Sequence, residues 1–593
     1  MIKLVSWIRI VCMFGLAILA PMVLLAQSPA LVIRGGTLIL PPGADRLENA
    51  VIVIRGEKIV EVGSAGEVAL PAGAPIIEAR GKYILPGLID GHVHFRDWNG
   101  ELFLNHGVTS VLDIGDPTEW ILAVREAVRV GLYRAPRIYA SGNIIDGEAP
   151  RGQPRSSMGG GGPSGRSRGN RTVVRTAEEA RQAVRQLHSA QADIVKVYQE
   201  LSPQLLRAVT EEAHGLGLAV IGHTGDAFMA AEAGIDGITH LWGIAETLMP
   251  PEIRERHHHH EIDCPYVWLD LNQASDLIQK LVASNVYVNP LLVNEHIGLT
   301  PLSERQEREV YQLFSDPRLS YVPLDAALGA QTFFAKVRNY ASRWGRFPHL
   351  DDLPSEVQAD FHTGYERARD FVAAFQRAGG KLVAGTDASG ASVTPGLGLH
   401  HELELLVESG VPPLEALRAA TIHPAQMARI DDEVGSIEAG KYADLLILDA
   451  DPLEDIRHTR RIWKLFLGGK EVELGYRDDF VSPIPYPLEE YSSSYYTKPQ
   501  VSLLSPPATV VNSESVRIQI QGMGFHMRSR VDFNGRPIPF QFVDSQRLEA
   551  VIPAELLTRI GTFPVVVTNP RPGGDESAPR GFVVSPAASE KSR

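Results

Sequence analysis

The chain is nearly without cysteine. Of its 593 residues only two are Cys, and Cys12 lies inside the one long apolar run at the N-terminus, which leaves Cys264 alone in the body of the protein. An intramolecular disulfide is therefore excluded there, and the fold must rest on apolar cores, which a chain of this length can build. Excess positive charge is missing too. With 57 Lys and Arg against 71 Asp and Glu the formal net charge is −14, which excludes non-specific nucleic-acid binding, since that needs a basic surface. What remains is ordinary for a globular protein, 44% apolar and 22% charged, over a length that predicts about three or four domains.

The apolar run "IVCMFGLAILAPMVLLA" follows Lys3 and Arg9 and ends at Ala26. A short basic region, an apolar core and a small terminal residue read as a secretory signal peptide over 1–26, and predict an exported protein, periplasmic or extracellular. Leu24 is larger than usual for its place near the cut. An uncleaved membrane anchor is the alternative, which the length of the run just allows. Cys12 lacks lipobox-like surroundings.

Downstream, 31–86 alternates short β-rich runs such as "NAVIVIRGEKIVEVG" with Gly and Pro punctuation, and 430–475 repeats that character in "GSIEAGKYADLLILDADP". Between them, over 87–429, eight strand-like runs alternate with helical patterns: "ILPGLIDGHVHF", "GVTSVLDIG", "PRIYASG", "DIVKVYQ", "GLAVIGH", "GIDGITH", "NVYVNP" and "KLVAGTD". That rhythm predicts an α/β fold, a parallel (β/α)8 barrel. It carries a Gly/Arg/Ser-rich loop after the third strand, "GEAPRGQPRSSMGGGGPSGRSRGNR", and a long polar insertion over 301–364, either of which could act as a lid. A Pro/Tyr/Ser-rich linker, 477–498, leads to strand-like runs over 499–585 that predict a separate β-sandwich of roughly 90 residues.

The first barrel strand ends in "GHVHF". Alternate strand residues share a face, so His92 and His94 stand side by side, at the end of the barrel where active sites of this fold lie. Two convergent neutral imidazoles are half a metal site. The fourth strand ends with Lys196, the fifth with His223, the sixth with His240 and the eighth with Asp387. A lysine there either extends its ammonium to water along a packed stem or is modified or paired, because a buried unpaired ammonium is costly.

This constellation resembles the amidohydrolase superfamily over about 31–472, and within it the imidazolonepropionase-like branch, several of whose members hydrolyse dipeptides or N-acyl amino acids. "NHGVTSVLDIG" and "LGLHHELELLVESGVPPLEALRAAT" are equally family-like. The resemblance implies that His92, His94 and Asp387 bind one divalent ion and His223 and His240 a second. Lys196, carboxylated by CO2, would bridge them as a carbamate. The two β-rich flanks would join into one composite sandwich. It further implies that the metals, zinc by the character of these ligands, activate a water for attack on an amide or other C–N bond. Asp387 would pass the proton to the leaving nitrogen. One departure is His423, where the family often has Asn; it reads as packed at a helix start. The C-terminal module resembles a TIG (IPT) domain through "IQIQGMGF" and "GTFPVVVTNPRPGG". It carries no catalytic pattern and implies contact with a cell surface, a polysaccharide or a protein.

Three readings follow. The first is an exported binuclear metal-dependent amidohydrolase acting on a small molecule such as a dipeptide, N-acyl amino acid or cyclic amide. The second is a mononuclear deaminase or lactonase on the same scaffold, and the third a non-catalytic surface binding protein. Tyr198, on the face of Lys196, is a candidate substrate contact, with plain packing the alternative. The run His257–His260 reads as a solvated loop, His400 and His401 as capping groups or supports of the ligands, and Arg151, Arg155, Arg166 and Arg168 as solvated.

Overall fold

The computed structural model describes residues 29–587 apart from 41–42, 149–169, 259–263, 297–304, 306–308, 311, 315, 320, 323–354, 389–392, 478–479, 481–483, 485–498, 526–528, 545 and 570–575. The expected signal peptide, most of the Gly/Arg/Ser-rich loop, with Arg151, Arg155, Arg166 and Arg168, and most of the linker lie outside these residues. Among the described residues no helix is long and apolar enough to cross a membrane.

Strands β1 (Ala30–Ile39), β2 (Arg46–Arg55) and β3 (Lys58–Ser64) form an antiparallel meander, and β4 (Ile76–Glu78) and β5 (Tyr83–Pro86) run parallel to β1. The chain then makes nine parallel-sheet strands. Three of them, β6 (Leu88–Val93), β7 (Val108–Asp113) and β8 (Arg137–Ala140), pair in that order. The other six are β9 (Ile144–Asp146), β10 (Arg171–Val173), β11 (Ile194–Val197), β12 (Ala219–Gly222), β13 (Gly237–Thr239) and β14 (Tyr287–Asn289), ordered β10-β9-β11-β12-β13-β14. Helices between them begin on designed caps. Thr176, Ser202 and Asp226 each accept a backbone N–H in the first turn, satisfying donors that the helix itself cannot.

The last strands of this half, β15 (Leu445–Leu448), β16 (Ile462–Leu467) and β17 (Lys470–Val472), return to the first. Antiparallel pairing of β15 with β5 makes one eight-stranded sheet, β17-β16-β15-β5-β1-β2-β3 with β4 beside β1. The composite flank is thus a single mixed sheet, with apolar clusters around Ile33, Ile52 and Leu445 and around Val32, Val51 and Val53, residues that alternate along β1 and β2.

The expected barrel is not closed as one continuous ladder. The eighth strand expected over 381–387 is, among the described residues, paired through segment 381–388 only by isolated bridges, Val288 to Leu382 and Val93 to Ala388. The reason is local. The N–H groups of both Thr386 and Asp387 donate to the one carbonyl of His92, and Asp387 has φ of 56°, so the two-residue repeat of a ladder cannot continue. The strands β9 and β10, which the sequence pattern did not suggest, also separate β8 from a regular pairing with β11.

Close approach here depends on glycine. A Cβ on Gly385 would lie 2.5 Å from Asn289 Nδ2 and 2.9 Å from the His92 nitrogen. We expect Gly385→Ala to destabilise the fold by about 1–3 kcal/mol through overpacking, read as a lowered denaturant midpoint at constant slope.

An apolar layer of Ile89, Leu112, Ile194, Ile221, Val383 and Met427 lies inside the strands. Because side chains alternate, Lys196 and His223, two residues beyond Ile194 and Ile221, stand above that floor. On the outer face Val195, Val197 and Val220 join the main core with the helices.

The C-terminal module is a two-sheet sandwich. Strands Gln500–Ser505, Val516–Met523, Arg547–Ile552 and Phe540–Asp544 form one sheet, and five strands between Ala508 and Ser585 the other. Ile518, Ile520, Phe533, Val565 and Phe582 fill the space between.

In the long insertion, Val310, Phe314, Leu319 and Val322 pack on Trp98 and Leu397, and Ser355–Arg377 is a helix. An ionic clip holds its start. Glu309 accepts from His401 Nε2 at 2.8 Å and Arg460 Nη1 at 2.9 Å. Burial draws the Glu309 carboxyl upward, but the His401 hydrogen bond and the charges of Arg460 and Arg305 outweigh it and bring it down to about 2. A lowered folded-state pKa means stability present above the ordinary carboxylate range and lost as pH falls towards 2. Hydrogen exchange around 309–322 should therefore quicken between pH 5 and 3, and Glu309→Gln should remove that acid dependence.

Candidate metal centre

His92 is the last residue but one of β6 and His94 follows the strand; Lys196 is in β11; His223 and His240 directly follow β12 and β13; Asp387 lies in segment 381–388. The structure brings all six into one pocket. The Nε2 atoms of His94, His92 and His240 lie 3.2, 3.7 and 3.9 Å from Asp387 carboxylate oxygens. Ring centroids are 5.6 Å apart for His92–His94, 5.3 Å for His92–His240 and 4.8 Å for His223–His240. Candidate ligand atoms of His92, His94 and Asp387 all fall within 4.8 Å of one another.

Backbone geometry delivers two of these side chains. Asp387 and His240 sit in the left-handed region, with φ of 56° and 66°, a conformation costing about 1–3 kcal/mol for such residues and found where function demands it. His240 N–H donates to the Asn289 carbonyl, which seats the turn that presents its ring. Asp387 Oδ2 accepts from Asn294 Nδ2 at 2.7 Å, fixing the carboxylate plane.

Electrostatics suit a cation. Burial first, then the positive charge of Lys196 and of neighbouring rings, holds His92 and His223 well below the ordinary imidazole range, so both are neutral with a lone pair to give. Each also keeps a buried Nδ1 with no hydrogen-bond partner among the described residues, an expense that a ligated centre and its supporting groups would relieve. Lys196 is 1% exposed and donates to Thr239 Oγ1 at 3.3 Å. Burial lowers its ammonium to about 7, with the charge of Asp387 working the other way. Its head does not reach water. The donor set fits divalent metal ions.

Tyr198 is buried against His223, ring centroids 4.4 Å apart. Three neighbours were not singled out from sequence: Arg171, whose guanidinium carbon lies 4.2 Å from the Tyr198 ring centroid; Trp242, stacked on His223 at 5.1 Å; and Asn294. Trp242 could have been found, since it stands two residues after His240 as Tyr198 does after Lys196. Asn294 lies in the short helix Leu292–His296 after the seventh strand, beyond the reach of a strand-end pattern. Arg171 carries no local signal.

The other histidines lie elsewhere. His400 bonds Thr459 and the His106 carbonyl, and His423 the Leu382 carbonyl. His257 and His258 end a helix, Pro251–His258, rather than sitting in a loop, and His259 and His260 lie outside the described residues.

The amidohydrolase family model matches residues 83–472 and the IPT/TIG domain model 499–583. An adenine deaminase from Rubrobacter xylanophilus is 23% identical over 427 residues, 72% of this chain and 55% of that protein. A dihydroorotase from Trichlorobacter lovleyi is 44% identical over 68 residues, 11% of this chain and 15% of that one. The chain thus spans about half, or less, of the curated relatives it matches. Among solved structures, a putative prolidase from Bifidobacterium longum is 22% identical with a TM-score of 0.53, over 79% of this chain and 98% of that one. Phenylurea hydrolase B is 20% identical with a TM-score of 0.53, over 77% and 100%. At such identities the likeness to the solved structures is one of fold. By the match over 83–472, carrying every residue of the pocket just described, the chain belongs to the amidohydrolase family, its hydrolase domain followed by an IPT/TIG domain.

Proposed function

We propose that this protein is an exported, binuclear metal-dependent hydrolase that cleaves an amide or other C–N bond of a small molecule. The observation that carries the reading is the single pocket in which four imidazoles, the Asp387 carboxylate and a buried Lys196 amine converge. His92, His94 and Asp387 would hold one ion, and His223 and His240 another. Divalent ions bound there, zinc by ligand type, would polarise a carbonyl and acidify a water. The lysine chemistry supports the pair. An amine brought to about 7 is substantially neutral at physiological pH, the form that adds CO2 to give a carbamate and a proton. The anion so formed would offset the cations beside it.

The chain's own groups do the rest. Asp387, oriented by Asn294, takes the proton of the attacking water and hands it to the leaving nitrogen. The buried imidazoles of His92 and His223, held well below the ordinary range, are poor proton acceptors and do not compete for that role. The apolar floor beneath Lys196 and His223 excludes bulk water from below. The IPT/TIG domain serves contact with a surface, polysaccharide or protein, apart from the pocket.

Elemental analysis of the mature protein, with His257–His260 replaced so that they capture no stray ions, tests the reading. Two metals per chain, with hydrolysis in a panel of dipeptides, N-acyl amino acids, cyclic amides and lactones, is the expected result. One metal would move the assignment to a mononuclear enzyme. None, after incubation with zinc, manganese and bicarbonate, would leave a binding protein. Turnover of lactones alone would overturn the C–N assignment.

A further inference from the structure

Asn289 closes β14 in the layer that holds the metal pocket, and the chemistry above gives its side chain no part. Tyr287, two residues earlier, belongs to the apolar floor, so alternation lifts the Asn289 side chain one layer above it. That is the level of Lys196 and His223. The backbone of Asn289 is used, its carbonyl accepting the N–H of His240. Its side chain is not. Asn289 is 0% exposed, and neither Oδ1 nor Nδ2 has a hydrogen-bond partner among the described residues.

A buried amide in that state is costly, since it forfeits water on its donor and acceptor sides alike. The chain also gives up side chains to admit it. A Cβ on Gly385 would lie 2.5 Å from Asn289 Nδ2, and one on Gly91 would lie 3.6 Å from the same atom. The Cβ position of Gly385 is also 3.0 Å from His92 Cβ, so the amide and the base of His92 flank one glycine. The His92 ring has the complementary need. Its Nε2 faces Asp387 at 3.7 Å, and an imidazole that gives a metal its Nε2 lone pair carries its proton on Nδ1. That Nδ1 is buried, with no partner among the described residues. The Asp90 carboxylate is already engaged, by the His92 N–H at 3.3 Å and by Thr386 Oγ1 at 2.6 Å.

We propose that Asn289 is a positioning residue of the metal centre, its amide oxygen accepting the Nδ1–H of His92 directly or across one water. The bond fixes the tautomer whose Nε2 faces Asp387 and holds the ring against rotation. The inference rests on the metal-centre reading above and adds to it a residue from a strand that supplies no ligand.

The test is zinc titration of the metal-free protein against a chromophoric chelator, with His257–His260 replaced. Asn289→Leu keeps the volume and removes the amide. It should weaken one zinc equivalent about 10–100-fold, the range for losing a group that orients a ligand, and leave the other nearly unchanged. Asn289→Asp retains an acceptor and should keep the parent's affinity. A downfield imidazole N–H signal in the proton NMR spectrum of the zinc-loaded protein should persist in Asn289→Asp and exchange away in Asn289→Leu. Metal-free Asn289→Leu should unfold at an equal or higher denaturant midpoint, because the unanswered amide is gone. Should it not fold, Asn289→Ala, which only removes atoms, is read the same way. Unchanged zinc affinity in Asn289→Leu, equal weakening of both equivalents, or an equal loss in Asn289→Asp would overturn the inference. So would stability lost with zinc retained. The two readings fail separately. A parent that takes up one zinc, weakened by Asn289→Leu and not by Asn289→Asp, sinks the binuclear reading and keeps Asn289 in its role. Two zinc ions held equally by parent and Asn289→Leu leave the centre standing without Asn289. No zinc in the parent removes both.

Discussion

Lys196→Ala is expected to strip the pocket of paired metal and lower turnover on the order of 10³-fold or more, above the roughly 10–100-fold typical when a group that merely supports a ligand is removed. Among the described residues the amine makes one hydrogen bond, to Thr239 at 3.3 Å, in surroundings that disfavour its charge. A buried ammonium so weakly partnered contributes little to folding and costs free energy to hold. The metal-free protein should accordingly tolerate Lys196→Met, of similar volume, with equal or higher stability by denaturant titration, while metal analysis shows the loss. A lysine kept for the fold alone would give the opposite pair of results: stability lost and metal retained.

Asp387→Asn should lower kcat by about 10²–10⁴, the range that a positioned general base supplies, or about 3–5.5 kcal/mol of barrier at 1.36 kcal/mol per decade. The change is isosteric, and Asn294 can still donate to the amide oxygen. KM should move by no more than several-fold, because the group acts on the proton in transit and not on the resting substrate. A large rise in KM with kcat intact would mean that Asp387 only holds substrate. Asp387→Ala should in addition weaken metal retention, since Nε2 of His92, His94 and His240 all lie within 3.9 Å of its carboxylate oxygens. The left-handed φ of 56° is easier for Asn than for most residues, so a loss in Asp387→Asn cannot be laid to backbone strain.

Residues that do chemistry through strand position were legible in the linear chain. Alternation with period 2 and an apolar run ending in a polar residue are local properties, visible in "GHVHF", "IVKVY" and "VIGH" without any partner. That Ile194 and Lys196, or Ile221 and His223, occupy successive layers of one face follows from the same rule. The IPT/TIG module announced itself likewise, by short strands at even spacing.

Other features answer to contacts between residues far apart in sequence. Pairing of β5 with β15 spans more than 350 positions, and no local pattern states that the two flanks merge into one sheet. Segment 381–388 has the composition of a strand, yet two of its N–H groups turn to the single carbonyl of His92, where Val383 and Ala384 pack on Gly91 and Gly385 on Asn289 and His92. Arg171 lies beyond a loop that defeats periodicity, so its place over Tyr198 was invisible until the chain was folded.

The sequence by itself determined which side chains stand at the strand ends and what chemistry their types allow, because side-chain direction along a strand is set by the backbone alone. Only the tertiary structure decided how those ends converge on Asp387, which neighbours surround them and which donors stay unanswered, because these depend on the long-range packing that joins one strand to the next.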